Sequence, residues 1–301
     1  MAVKRIRRKK QPAKFNWNLL LVCLTIVLIL FLMEAFKSRG ERKPTVETAA
    51  SEIKKLPSKV KRAIAKKQVL ATYSVPILMY HYVEYVKDTR DTIRQSLNIP
   101  PDVFEEQLKT LSEEGYTFLT ASELEEVIDG KRELPQKPVL LTFDDGHWDI
   151  LSDIVPLFKK YQAQGTVYII TDFLNGSDFL TEEQLGKVID SGVFEIGAHT
   201  VHHVSLAGKM PQTVKFEVEE SKNFLEKKYN IWVNAFAYPN GALDLPSLEA
   251  VREAGFTTAV STVPGVEVTA ANRFALYRLR PGRRTGAELL NFISQPDASY
   301  R

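Results

Sequence analysis

From Val75 onward, short apolar runs alternate with longer amphipathic stretches, and this alternation limits the possible folds more than any other feature of the chain. Brief apolar runs bounded by polar or turn-forming residues read as strands. They fall at Ile77–Tyr80, Val139–Phe143, Thr166–Ile170, Phe194–Ala198, Asn234–Tyr238, Thr257–Ser261 and Ala275–Leu279. Helical stretches cover Pro101–Glu114, Ser122–Ile128, Ile150–Tyr161, Glu182–Ser191, Pro211–Tyr229 and Leu245–Ala254. Strands alternating with helices imply an α/β fold around a mostly parallel sheet. Tyr82 to Pro100 is polar and without clear periodicity, and reads as a loop over the cleft directly after His81.

In barrels built this way, the carboxyl ends of the strands carry the chemistry. Two of the predicted strands end on candidate metal ligands. The first runs into Thr142-Phe143-Asp144-Asp145-Gly146, the second into His199-Thr200-Val201-His202-His203. Adjacent side chains on a strand point to opposite sides, so Asp144 and Asp145 can do different work. His199 and His203 are four apart, so one helical turn would set both imidazoles on one face. His202 then points elsewhere, outside the ligand set or to solvent. Three protein ligands with a position left for water are the pattern of a catalytic zinc site. Such a metal acidifies its water and polarises a carbonyl, and a nearby carboxylate can accept the proton.

At these residues the chain resembles the polysaccharide deacetylases of carbohydrate esterase family 4, the NodB-homology domain. Thr-Phe-Asp-Asp-Gly and His-Ser/Thr-x-x-His are that family's paired motifs, and the similarity runs from about Val75 to Ile293. The resemblance implies a distorted (β/α)7 barrel, with Asp144 as general base. It also implies one divalent ion, zinc or else cobalt or nickel, held by Asp145, His199 and His203. The substrate it implies is an N-acetylated polysaccharide.

A third segment departs from the usual pattern. Ala235-Phe236-Ala237-Tyr238-Pro239-Asn240-Gly241 stands where many members have Phe-Arg-Pro-Pro-Tyr-Gly. Ala237 replaces the arginine that often orients the base, and Asn240 replaces an aromatic. The Ala-Tyr-Pro form is similar to a subgroup that includes poly-N-acetylglucosamine deacetylases. Read from the residues, this is a strand ending in a Pro-Asn-Gly turn. A backbone N–H near Tyr238 would face the oxyanion, and Tyr238 is expected to touch substrate. Arg278 or Arg280 would orient Asp144, the alternative being surface strand charges. No histidine follows His203. The subgroup resemblance therefore points to His81, at the end of an apolar strand, as general acid, a role that suits a group titrating near neutrality. His147 is read as a rim residue, and Trp148 as a surface on which a sugar stacks.

Charge divides the 301 residues in two. Residues 1–67 hold 18 Lys and Arg against 4 Asp and Glu, a balance of +14, while residues 68–301 hold 22 against 33, a balance of −11. An acidic folded part argues against a nucleic-acid partner, which needs a basic footprint. Leu19 to Met33 is apolar apart from Cys23 and Thr25, and seven basic residues precede it. With its flanks it approaches the ~20 residues that span a bilayer, and the basic side is expected to stay in the cytoplasm. The expected organisation is a cytoplasmic tail (1–15), a membrane-spanning signal anchor (16–36), a basic stalk (37–74) and an extracytoplasmic catalytic domain (75–301). A cleaved signal peptide competes with the anchor, but no clean small-x-small site follows the run. A stalk lying on anionic lipid or wall polymer competes with a solvated one. With a single cysteine there is no intrachain disulfide.

The expected activity is hydrolysis of the acetamide of N-acetylglucosamine units in a cell-surface or cell-wall polysaccharide, releasing acetate. Two rivals stand beside it: a silent, membrane-tethered glycan-binding module, and a hydrolase of another non-peptide C–N bond.

Overall fold

A computed structural model of the chain describes residues 71–86, 88 and 90–295. The tail, the expected anchor at 16–36 and most of the expected stalk lie outside the described residues. Among those described, no helix is long and apolar enough to cross a membrane.

The strands are β1 (Thr72–Ser74), β2 (Ile77–Tyr80), β3 (Tyr82–Val83), β4 (Asn98–Ile99), β5 (Thr117–Leu119) and β6 (Pro138–Phe143). They continue as β7 (Gly165–Ile169), β8 (Phe194–Ala198), β9 (Ala235–Ala237), β10 (Thr258–Val260) and β11 (Glu267–Thr269). Strands β2, β6 and β7 are buried at every position, as unbroken apolar runs require in a parallel sheet covered on both faces. The main sheet has seven strands in the order β10-β9-β8-β7-β6-β2, with β5 also paired to β6. Every pairing in it is parallel. On one edge of β6, β5 lies opposite Pro138–Leu140 and β7 takes over from Leu141.

The seven strands are not the seven expected. β5 was not anticipated, and Ala275–Leu279 is not a strand. It crosses instead between the sheet's edges, bridging Val260 of β10 with Leu276 and Leu78 of β2 with Leu279. Leu276 N–H donates to Ala259 O at 2.8 Å, and Leu279 N–H to Ile77 O at 2.7 Å. A segment that must pass from one edge to the other pairs with each only briefly. The curled sheet is thus spanned by irregular chain rather than by a strand.

Other differences are local. β1 pairs antiparallel with β11, so the folded unit takes in residues 72–74, which composition assigned to the stalk. The predicted loop Tyr82–Pro100 holds β3, a helix at Thr92–Leu97, and β4, which pairs with β3. A helix at Gly286–Ser294 was also missed. The helix predicted over Ile150–Tyr161 opens as a π-helix (Ile150–Ile154) before an α-helix (Val155–Tyr161). Val155 N–H reaches back five residues to Ile150 O, and Pro156 has no N–H with which to tighten the turn.

Alternation along β6 divides the core. Val139, Leu141 and Phe143 pack under the helices, while Leu140 joins Ile77, Tyr168, Ala235, Ala237 and Val260 in a second apolar cluster. Gly197 on β8 makes room for this cluster, because a Cβ there would lie 2.4 Å from the Tyr168 ring. Thr142 is fully buried and donates to Leu78 O at 2.8 Å. Asp144 extends this same alternate set of residues past the strand end.

Candidate active site

Asp144 leaves β6 with its N–H donated to Tyr80 O at 3.0 Å. Asp145 and Gly146 then take left-handed φ values of 76° and 83°. A glycine suits the second position. The turn separates the two carboxylates into different surroundings.

Asp144 is 2 % exposed. Arg278 holds it with both arms, NH1 to Oδ1 and NH2 to Oδ2, each at 2.7 Å. The same guanidinium donates to Thr142 Oγ1 at 3.2 Å and through Nε to Ser261 O at 2.7 Å. A bidentate arginine fixes a carboxylate in orientation as well as charge. Burial alone would raise the Asp144 carboxyl, but the charge and hydrogen bonds of Arg278 hold it below its ordinary value. Of the two arginines proposed as orienters, Arg278 makes these bonds. Arg280 is exposed and lines a pocket beside His81. His81 Nε2 lies 3.9 Å from Asp144 Oδ2. Burial lowers His81 to about 4, against the opposing pull of Asp144 and Asp145.

Asp145 faces the other way. Its Oδ1 lies 3.4 Å from His199 Nε2 and 3.5 Å from His203 Nε2. His199 follows β8 and hydrogen-bonds Ala237 O through Nδ1 at 2.7 Å. A carbonyl can only accept, so Nδ1 carries the proton and Nε2 presents a lone pair. The two histidines do not share a helical turn, contrary to the sequence expectation. The chain from His199 to His203 is a loop in which Thr200 (φ 68°) and His203 (φ 57°) are left-handed. Glu217, buried on the helix Pro211–Tyr229, pins that loop. It accepts from Val201 N and His202 N at 2.9 Å each, and its other oxygen lies 2.7 Å from His202 Nδ1. His202 is therefore a half-exposed support for the loop and stands outside the ligand trio.

The trio meets the requirements for a cation. One ligand atom from each of Asp145, His199 and His203 lies within 4.8 Å of the others. Asp145 Oδ1 is buried and has no hydrogen-bond partner. A buried carboxylate oxygen facing the lone pair of His199 is costly unless a positive charge sits between them. Burial alone would raise Asp145, but the His147 hydrogen bond and the neighbouring imidazoles hold it below the usual carboxylate range.

His147 is not on the rim as expected. It is 2 % exposed and its Nε2 lies 3.3 Å from Asp145 Oδ2, with Nδ1 3.1 Å from Asp178 O. Its ring stacks between Tyr82 at 3.9 Å and Phe179 at 4.8 Å. Its place next to the first motif was the only signal in the sequence. Tyr238 also differs from expectation. Its side chain is fully buried with the hydroxyl donated to Phe274 O at 3.1 Å, and its N–H is donated to Val260 O at 3.2 Å. Neither group is presented to a substrate. Trp148 is 37 % exposed, a surface position open to stacking.

Comparison with known proteins agrees with this arrangement. Residues 131–259 match the family model described as polysaccharide deacetylase. The Bacillus subtilis protein YxkH, named for the polysaccharide deacetylases, is 32 % identical over 206 residues, which are 68 % of this chain and 71 % of that one. The poly-beta-1,6-N-acetyl-D-glucosamine N-deacetylase of Staphylococcus epidermidis is 25 % identical over 176 residues, 54 % of this chain and 60 % of the relative's length. The solved structure of the Streptococcus pyogenes deacetylase PplD, in complex with acetate, superposes with a TM-score of 0.69 at 30 % identity, covering 75 % of this chain and all of that one. The chain belongs to the polysaccharide deacetylase family and is a hydrolase.

Proposed function

We propose that the protein is a metal-dependent N-deacetylase of a polysaccharide containing N-acetylglucosamine. The observation that carries this reading is the opposed pair Asp144 and Asp145. One carboxylate is locked to Arg278, and the other faces the Nε2 atoms of two imidazoles. A divalent ion held by Asp145, His199 and His203, with zinc suited to this donor set and cobalt or nickel as alternatives, would supply a Lewis acid for the acetamide carbonyl and acidify a water.

The chain's own groups do the rest. Asp144, kept ionised by Arg278, accepts a proton from the attacking water. His81 gives a proton to the departing amine nitrogen, so that acetate and a free amine result. Burial leaves His81 neutral at physiological pH, so the proton it donates is the one Asp144 has just taken, passed across their 3.9 Å separation. Tyr238 N–H itself is committed to Val260 O, so an oxyanion donor near Tyr238 would be another N–H of that turn. Arg278 stands in for the motif arginine missing at Ala237, which removes the main argument for a silent binding module. The relatives named as deacetylases support the acetyl chemistry, and the staphylococcal relatives support a β-1,6-linked N-acetylglucosamine polymer as one candidate substrate. The basic tail, apolar run and basic spacer support tethering to the membrane, with the enzyme on the outer side.

The test is acetate release from N-acetylglucosamine oligomers and from peptidoglycan, with zinc or cobalt and with chelator. The reading expects metal-dependent release from at least one of them. Release that persists unchanged after chelation would remove the metal, and no release from metal-loaded protein would remove the substrate class.

A further inference from the structure

Beside His81 lies a pocket of about 130 Å³ with no role in the chemistry described so far. Besides His81 and the buried Tyr80, the ionisable side chains in its lining are Arg280 and Arg283, and no aspartate or glutamate among the described residues lines it. This stands against the balance of −11 over residues 68–301. In an acidic domain, a concave site whose charged lining residues among those described are arginines concentrates positive potential where its surroundings are negative.

The turn that carries these arginines is built, not loose. Gln107 is fully buried on the helix Pro101–Glu113. Its amide donates to Gly282 O and to Arg284 O, both at 2.8 Å, and it accepts from Tyr80 OH at 3.0 Å. Tyr80 directly precedes His81. One buried amide therefore ties the arginine-bearing turn to the strand that delivers His81. Arg284 is spent on structure, with NH1 donated to Pro281 O at 2.9 Å and its guanidinium 4.4 Å above the Phe292 ring. Arg283 is exposed, and no ion pair ties it to a carboxylate among the described residues. Gln95, Ser96 and Asn98, which follow β3 in the chain, also line the pocket.

We infer that this pocket is a subsite for an anionic oxygen group, a carboxylate or a phosphate ester, on a sugar next to the acetylated unit. The inference rests on the deacetylase reading for its substrate, but the pocket itself is testable without it. Guanidinium groups match both carboxylate and phosphate geometry, and a neutral homopolymer would offer the exposed Arg283 no such partner. The subsite selects polymers in which the target N-acetylglucosamine neighbours a charged substituent, with the charge anchored on the His81 side of the reacting bond.

Two measurements decide it. The first titrates inorganic phosphate into metal-free protein, so that no bound ion attracts it, and compares wild type with Arg283→Gln and Arg280→Gln. Binding that weakens about tenfold or more in each variant is expected for loss of a charge-assisted hydrogen bond. Absent binding, or binding equal in all three proteins, overturns the subsite. The second compares acetate release from neutral N-acetylglucosamine oligomers with release from oligomers whose neighbouring sugar carries a carboxylate or a phosphate ester. The ratio of kcat/KM for charged over neutral substrate is expected to exceed one and to fall about tenfold in Arg283→Gln, and the better charged substrate identifies the group. A ratio that the substitution does not change overturns the subsite even while acetate is released. Failure to release acetate from any oligomer would count against the deacetylase reading, and the phosphate titration would still judge the pocket.

Discussion

Asp144 and Asp145 are neighbours in sequence, yet they stand in opposite electrostatic regions. Around Asp144 the ledger of donors and acceptors closes within the protein, because Arg278 supplies two N–H groups to the two carboxylate oxygens. Around Asp145 it does not close. One oxygen meets His147, while the other is buried, has no hydrogen-bond partner and faces His199 and His203. The first region is complete as folded, whereas the second has room among its donors for a cation. Pairing with a fixed guanidinium keeps a resting carboxylate ionised and sets its direction. Leaving a carboxylate oxygen unpaired beside two imidazoles makes it available as a ligand. Two identical side chains thus acquire different roles from a pair of left-handed residues at the strand end.

This contrast can be broken from either side. The largest effect is expected for Asp144→Asn, which keeps shape and removes the base. Turnover should fall by about 10²–10⁴-fold, measured as acetate release, and wild-type turnover would end its assignment. Next is Arg278→Met, which strands a buried carboxylate. Breaking a buried pair this way costs roughly 3–5 kcal/mol, to be read from denaturant unfolding at neutral pH. The sign with pH is also fixed. In the wild type the Asp144 carboxyl is depressed below 3.8, so its contribution is present above that value and lost as pH falls through the folded value. In Arg278→Met burial remains the largest influence, opposed only by the nearby His199 and His81, and the carboxyl is expected to rise. Stability should then drop as pH rises above 3.8, and the acid limb of activity should move upward.

On the Asp145 side, His147→Ala removes the hydrogen bond to the second oxygen. Partners that orient a metal ligand are typically worth about 10–100-fold in metal affinity, so competition with a chelating dye should show a loss of that order. An unchanged affinity would make His147 a packing residue only. The smallest effect concerns Asp149, buried nearby with one oxygen bonded to Val83 N–H and the other without a partner. Burial pushes its carboxyl up to about 6 from 3.8. The native state therefore holds a proton that the unfolded state has released, and stability falls as pH rises through that window. Asp149→Asn keeps an acceptor and drops the charge. Its melting temperature should exceed the wild type's by a few degrees at pH 7.5, with the difference vanishing near pH 4.

The parts of this picture that could be read in the sequence are those encoded within a few residues. β2, β6 and β8 appear as apolar runs, and both metal-site segments as motifs, because each needs only its own neighbours. What could not be read depends on distant chain. Ala237 in place of the motif arginine left Asp144 without an assigned partner, and its partner Arg278 lies 134 residues further on. Arg278 was only one of two candidates because its segment has the composition of a strand, whereas in the fold it crosses between β10 and β2. His147 is buried only because Tyr82 and Phe179 close over its two faces. Tyr238 sits in a motif that suggests contact with substrate, but its hydroxyl is captured by Phe274 O. The helical turn expected of His199 and His203 fails because Glu217, from the following helix, holds the intervening N–H groups in a loop.

The central claim is the division of labour between the two carboxylates, and metal stoichiometry tests it most directly. Zinc bound per chain would be measured by equilibrium dialysis for the wild type, Asp144→Asn and Asp145→Asn. The account predicts one ion in the wild type and in Asp144→Asn, and loss of that ion in Asp145→Asn. An ion retained by Asp145→Asn, or lost from Asp144→Asn while the protein stays folded, would contradict it.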